Sequence, residues 1–371
     1  MADNEQTPTL AERARAATPH VTRWLTGRAP STPEHELRDL ADVLAGAGEE
    51  VTRWDRYGEH GPVAVLEARL AELLAKPAVA MFPSGIMAQQ SMLRVWCDST
   101  GSRRVAIPSL SHLLRSEADG PRLVHGFEFD LLTDGPRVPL AADLTGIPGR
   151  LGAALLELPL RDAGFLLPSW EELVAFSGAC RARGVPLHLD GARLWESAPH
   201  LDHSVAEVAG LADSVYVSFY KGLGGIAGAA VAGPDEQVAE VRTWRTRMGG
   251  TLFSLMPYAV AALRGLDTEL PRMAEYHERA VALSQHMETH GIRVSPSPPQ
   301  CNSFRIHVER EADDLEERRV SAMEGERLAL TSRWSTSDVP GWSWAELVVG
   351  HSTTEWGDDE AVETLLRVFV R

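Results

Sequence analysis

Cysteine is nearly absent from this 371-residue chain. Cys97, Cys180 and Cys301 are odd in number and show no CxxC or Cys/His ligand spacing, which excludes a disulfide framework and a structural zinc site and fits a reducing compartment. Long apolar runs are missing as well: no uncharged stretch approaches the ~18 residues of a membrane helix. The N-terminal MADNEQTPTLAERARAA lacks the apolar segment of a secretory signal. Positive charge is short, with 36 Lys and Arg against 52 Asp and Glu and a net charge of −16. That balance argues against nucleic acid or an anionic membrane as partner. Structural repeats are missing too, since VTRW at Val21–Trp24 and again at Val51–Trp54 is too short to define one. These absences lead us to expect a soluble, cytoplasmic protein with no metal site.

What is present is globular: 44% apolar and 24% charged residues, in a chain long enough for two domains. Pro19, Pro30 and Pro33 punctuate an N-terminal arm over residues 1–54. A large domain is expected over 55–265. In it Leu66, Leu70, Leu73 and Leu74 fall at helical spacing, AVAMF reads as a strand ending at Pro83-Ser84-Gly85, and IMAQQSMLRVW reads as the next helix. Val105–Ile107, Val185–Asp190 and Ser214–Ser218 read as further buried strands, with ELVAFSGACRARG as a helix between two of them. Such alternation predicts a mainly parallel α/β sheet with helices on both faces. A smaller α+β domain over 266–371 follows, with NSFRIHV, RLALTSRW and WSWAELVV as strands. A last helix, DEAVETLLRVFV, is expected to be capped by Asp358. Four tryptophans of this part, Trp334, Trp342, Trp344 and Trp356, line an aromatic pocket or simply pack.

Two chemically distinctive residues sit at strand ends. Asp190 closes one predicted strand in HLDGARLW, and Lys221 follows another in SVYVSFYKGLGG. Ligands of parallel α/β folds gather at the carboxyl ends of strands, so an acid and an amine placed there face one crevice. Pyridoxal 5′-phosphate requires such a pair: a lysine amine forms a Schiff base with its aldehyde, and a carboxylate keeps its ring nitrogen protonated. Its phosphate needs an anion site, which the turn Ser84-Gly85-Ile86 provides through backbone N–H groups at a helix N-terminus, with Gly85 allowing a turn closed to other residues. His112, in SHLLRSEADG, is placed to stack on a planar ring; Glu117 reads as a loop charge.

Together the segments DRYGEHGPVAVLE, FPSGIMAQQ, SHLLRSEADG, LELPLRDAGFLLP, HLDGARLW and YKGLGGIAG resemble the low-specificity threonine aldolases and related β-eliminating lyases, members of the fold type I class of pyridoxal phosphate enzymes. The resemblance implies Lys221 as the Schiff-base lysine and Asp190 as partner of the ring nitrogen. Arg193 would contact the substrate carboxylate or the cofactor's phenolic oxygen, His112 would stack on the ring, and Ser84, Gly85 and Ile86 would hold the phosphate. Tyr57 would approach the site of a neighbouring subunit, implying a homodimer or homotetramer. The implied activity is cleavage or formation of the Cα–Cβ bond of a β-hydroxy-α-amino acid. Two alternatives are β-elimination on another amino substrate and a cofactor-binding relative without turnover.

Departures from the family pattern bear on the substrate. PHVTRW lacks the Ser-Asp of the usual N-terminal stretch, Tyr220 precedes the lysine where serine is common, and Ile86 follows the turn glycine where threonine is common. Glu346 stands where an arginine usually clamps the substrate carboxylate, unless the alignment slips and Glu346 faces solvent; Arg305 and Arg333 are candidate replacements.

Overall fold

Short apolar runs between amphipathic stretches fold into strands separated by helices, and the computed structural model describes them over residues 8–371. In chain order the strands are β1 (Arg23–Trp24), β2 (Ala78–Phe82), β3 (Arg104–Ile107), β4 (Glu128–Leu131), β5 (Ala153–Glu157), β6 (Leu187–Gly191), β7 (Ser214–Ser218), β8 (Ala229–Gly233), β9 (Arg293–Ser295), β10 (Ser303–Val308), β11 (Leu328–Ala329), β12 (Ser335–Thr336) and β13 (Ser343–Val348). The chain divides into two compact units. One is Ser31–Ala274; in the other the N-terminal residues through Pro30 join Glu275–Arg371.

The first unit holds a seven-stranded sheet in the order β2-β8-β7-β6-β5-β3-β4. From β4 to β7 every pairing is parallel, and β8 alone runs antiparallel to its neighbours β7 and β2. All residues of β5, β6, β7 and β8 are buried, the expected state of strands with both faces covered. The helix Gly85–Thr100 turns Ala88, Met92, Leu93 and Trp96 into the same core as Val231 of β8 and Val238 and Val241 of the helix Asp235–Arg247. It stops at Gly101, whose φ of 71° and N–H bond to the Cys97 carbonyl (2.9 Å) form a left-handed cap. Within this core Ser214 Oγ accepts from Trp96 Nε1 at 2.8 Å and lies 2.8 Å from His188 Nδ1. Burial pushes the His188 imidazole down to about 3, so it is neutral. All three cysteines are free and buried, and burial pushes the Cys97 and Cys180 thiols up to about 12. Among the described residues no helix is long and apolar enough to cross a membrane.

The second unit contains the antiparallel sheet β12-β13-β10-β9 and a short parallel pair, β1 with β11. RLALTSRW is not a single strand: two two-residue segments, β11 and β12, flank an irregular stretch. The last helix, Asp358–Leu365, is capped by Gly357 rather than by Asp358. Asp358 is instead its first residue, where a carboxylate suits the positive end of the helix dipole, and it pairs with Arg279. The tryptophans pack. Trp334 lies 5.1 Å from the Phe369 ring, Trp344 is faced by the Arg305 guanidinium at 3.9 Å, and Trp356 donates to the Trp24 carbonyl at 2.9 Å. Glu346 is 7% exposed and sits directly across from Arg305 in the β10–β13 register, so it does not face solvent.

Helix Met256–Thr268 of the first unit presents Gly265 to the turn after β7. A Cβ there would lie 2.9 Å from Leu223 Cβ and closer still to the Leu223 carbonyl oxygen. Because that oxygen belongs to the backbone, Gly265→Ala is expected to destabilise the fold by about 1–3 kcal/mol. Urea unfolding of the two proteins checks this, and equal midpoints would show that the turn moves freely.

Candidate active site

Glu157 is the last residue of β5, Asp190 lies opposite it near the end of β6, and Lys221 follows β7 by three residues. All three open on one cavity of about 310 Å³, which Ser84, Gly85, Ile86, His112 and Arg193 also line. The sheet thus brings Asp190, Lys221, His112 and Arg193 together with the glycine turn that follows β2. Tyr57 is elsewhere: it is 56% exposed, with its ring edge-on to Phe253 at 5.5 Å, and it does not line the cavity of its own chain.

A buried carboxylate requires donors, and Asp190, only 1% exposed, has two. Gln89 Nε2 donates to Oδ2 at 2.8 Å and the Ala192 N–H donates to Oδ1 at 3.0 Å. Gln89 projects from the helix Gly85–Thr100, so the element that starts at the glycine turn also orients the acid. Its other amide atom, Oε1, is buried without a partner.

Two further carboxylates line the same cavity. Glu117 is no loop charge: its Oε1 lies 3.2 Å from His112 Nδ1, and Gln90 Nε2 donates to its Oε2 at 2.6 Å. That hydrogen bond raises the His112 pKa against the opposing effect of burial. Glu157 accepts the N–H groups of His112 (2.9 Å) and Arg161 (3.2 Å). Burial, and then the Asp190 carboxylate beside it, push Glu157 well above the usual carboxylate range. Lys221 moves the other way, lowered first by burial and then by Arg193. The Arg193 guanidinium itself lies over the Phe165 ring at 5.3 Å.

At the glycine turn, Ser84 is the N-cap but makes no side-chain cap bond, leaving the first N–H groups of the helix without a side-chain acceptor. Gly85 does not have the positive φ that the turn argument requires. Space explains it instead: a Cβ at Gly85 would lie 2.9 Å from Tyr216 Cζ and nearer still to the phenol oxygen. Sequence reasoning missed Gln89, Glu157, Arg161 and Tyr216. Glu157 had the signal that Asp190 had, an acid ending an apolar strand; the other three become visible only through their partners.

Gly85→Ala is expected to lower thermal stability, and Tyr216→Phe is expected to recover part of the loss in the double variant, a non-additivity measured by a mutant cycle. Additive effects would place the clash elsewhere. In Glu117→Gln the His112 pKa is expected to fall, measured by NMR titration of the imidazole. Because the pair raises a histidine pKa, its stabilisation is present below the ordinary histidine value and fades as pH rises through the raised one. The stability gap between the two proteins is therefore expected to be larger near about pH 5 than near about pH 9.

Residues 41–311 match the family model described as beta-eliminating lyase. Low-specificity L-threonine aldolase 1 of Arabidopsis thaliana is 27% identical over 298 residues, 74% of this chain and 83% of that protein. A crystal structure from Listeria monocytogenes, assigned as an L-allo-threonine aldolase, is 32% identical with a TM-score of 0.88, over 97% of this chain and 99% of that one. Sphingomonas wittichii serine palmitoyltransferase shares the fold type I architecture at 15% identity, with a TM-score of 0.62 over 91% of this chain and 82% of that one. The chain belongs to the beta-eliminating lyase family.

Proposed function

We propose that the protein is a pyridoxal 5′-phosphate-dependent lyase of the threonine aldolase type, acting on the Cα–Cβ bond of a β-hydroxy-α-amino acid. The observation that carries this reading is the convergence of Asp190 and Lys221 on one cavity from the ends of adjacent strands. The donor set suits the cofactor. Lys221, its amine shifted toward the neutral, nucleophilic form by burial and by Arg193, would hold the aldehyde. Asp190, fixed by Gln89 and the Ala192 N–H, would face the ring nitrogen. The uncapped helix end at Ser84, Gly85 and Ile86, with no room for a side chain at 85, would receive the phosphate. Bound there, the cofactor supplies an electron-withdrawing cationic ring that weakens the bonds to the substrate α-carbon.

The chain's own groups supply the rest. His112, held by Glu117, offers a flat face to a ring. Arg193 and Arg161 both line the cavity and supply guanidinium charge for a substrate carboxylate, an alternative to the clamp that Glu346 cannot provide. Two groups would be available to take the proton of a β-hydroxyl: the neutral imidazole of His112 and the carboxylate of Glu157, the latter's pKa pushed up to about 7 by burial and then by Asp190. β-Elimination on another amino substrate, with Lys221 Nζ as the proton carrier at Cα, is the second reading, favoured by the description of the matching family.

We also propose a homodimer or homotetramer in which Tyr57 reaches the neighbouring site. Exposed Trp54, Tyr57 and Phe253 in the first unit support it. A reducing cytoplasm is proposed as the compartment, supported by the three free buried thiols.

Holoprotein prepared with pyridoxal 5′-phosphate is expected to show a visible absorption band that is lost in Lys221→Ala, and to release aldehyde from β-hydroxy-α-amino acids. Ammonia with a 2-oxo acid as products would replace the first reading by the second. A colourless wild-type protein in excess cofactor would overturn both.

A further inference from the structure

One buried acid in the first unit has no part in the chemistry above. Glu196 lies in the helix Leu194–Leu201 and is 2% exposed. Its carboxylate occupies the space in front of Gly222, the residue after Lys221: a Cβ at Gly222 would lie 2.5 Å from Glu196 Cδ and 3.0 Å from Oε2. Oε2 is buried and has no hydrogen-bond partner among the described residues. An acid placed this way costs free energy unless cations face it, and two do, Arg193 and Lys221. The Lys221 turn is closed by the Gly224 N–H on the Lys221 carbonyl (3.0 Å) and the Gly225 N–H on the Phe219 carbonyl (2.7 Å). Gly265 bears on Leu223 from the helix Met256–Thr268, and Glu196 bears on Gly222. Gly222 and Gly265 therefore leave room for two supports, one of backbone and one of charge.

We propose that Glu196 is a positioning residue for Lys221, its carboxylate seating the turn that carries the lysine from behind Gly222. This rests on the reading of Lys221 as the cofactor lysine. Other charges and titratable groups face Nζ too: Asp190 from β6, Glu157 from β5, Arg193 from the loop before the helix of Glu196, His112 from the far wall, and Tyr220 beside it, its ring centroid 5.9 Å away. Burial raises the pKa of Glu196 itself, opposed by Arg193, its own N–H, Lys221 and the Gly222 N–H. Among these groups Glu196 alone packs against the residue that follows the lysine, so it couples the shape of the turn to the protonation of the nitrogen at its start.

The test is a pH titration of the visible band in holoprotein loaded with pyridoxal 5′-phosphate. Glu196→Gln preserves the shape and removes the charge. Its midpoint is expected to move to lower pH, because losing a nearby anion disfavours the protonated nitrogen. Glu196→Asp, which keeps the charge, is expected to titrate close to wild type. Glu196→Ala, which removes both the shape and the charge of the acid, is expected to bind the cofactor about tenfold more weakly. A band in Glu196→Gln with the wild-type midpoint would reduce Glu196 to a spacer and overturn the proposal, as would a shift to higher pH. Absence of any band in the wild type would instead overturn the assignment of Lys221.

Discussion

A carboxylate as buried as that of Asp190 needs hydrogen-bond donors, and much of the first unit is arranged around supplying them. One oxygen is served by a side chain from the helix Gly85–Thr100 and the other by the backbone two residues on. The same helix opens at the glycine turn, so its position fixes both an anion-seeking end and the donor that orients the acid. Glu157, on the adjacent strand, feels Asp190 strongly enough to hold its proton more tightly. Its two backbone donors tie the start of the His112 helix and the loop after β5 to the same edge of the sheet. Displacing Asp190 would therefore disturb three walls of the cavity.

Close approach is the second theme. Gly85 yields to the Tyr216 phenol, Gly222 to the Glu196 carboxylate and Gly265 to the Leu223 carbonyl. None of the three has a positive φ. Their role is to let one group come nearer to the backbone than any side chain would permit, and two of the three surround the Lys221 turn. The lysine is thus held by packing on its own turn as well as by the charges around its amine.

Much of the architecture was legible in the sequence. The apolar runs at Ala78–Phe82, Leu187–Gly191 and Ser214–Ser218 are strands because they are buried on both faces, and periodicity detects that directly. The ends of those strands gave Asp190 and Lys221. Less visible were features that depend on a partner remote in the chain. Gln89 looked like any polar residue of a helix, and Glu117 like any acid of a loop, until Asp190 and His112 were placed beside them. RLALTSRW has strand-forming composition, yet only Leu328 and Ala329 near its start find a pairing edge, and β12 begins just after it. Two-residue β1 carries no periodicity at all, and its pairing with β11 is invisible without the fold. Gly85 was read as a conformational requirement and is a steric one, a distinction that sequence cannot make.

The hydroxyl of Ser214, shared by Trp96 and His188, bears on stability rather than on the chemistry of the cavity. An imidazole held neutral there refuses a proton that the unfolded chain would accept once the medium falls below about pH 6.5. Between that point and about 3, where His188 titrates in the folded chain, each unit of acidification favours unfolding by roughly 1.4 kcal/mol from this one residue. The heart of the sheet is therefore a built-in source of acid lability, independent of any ligand.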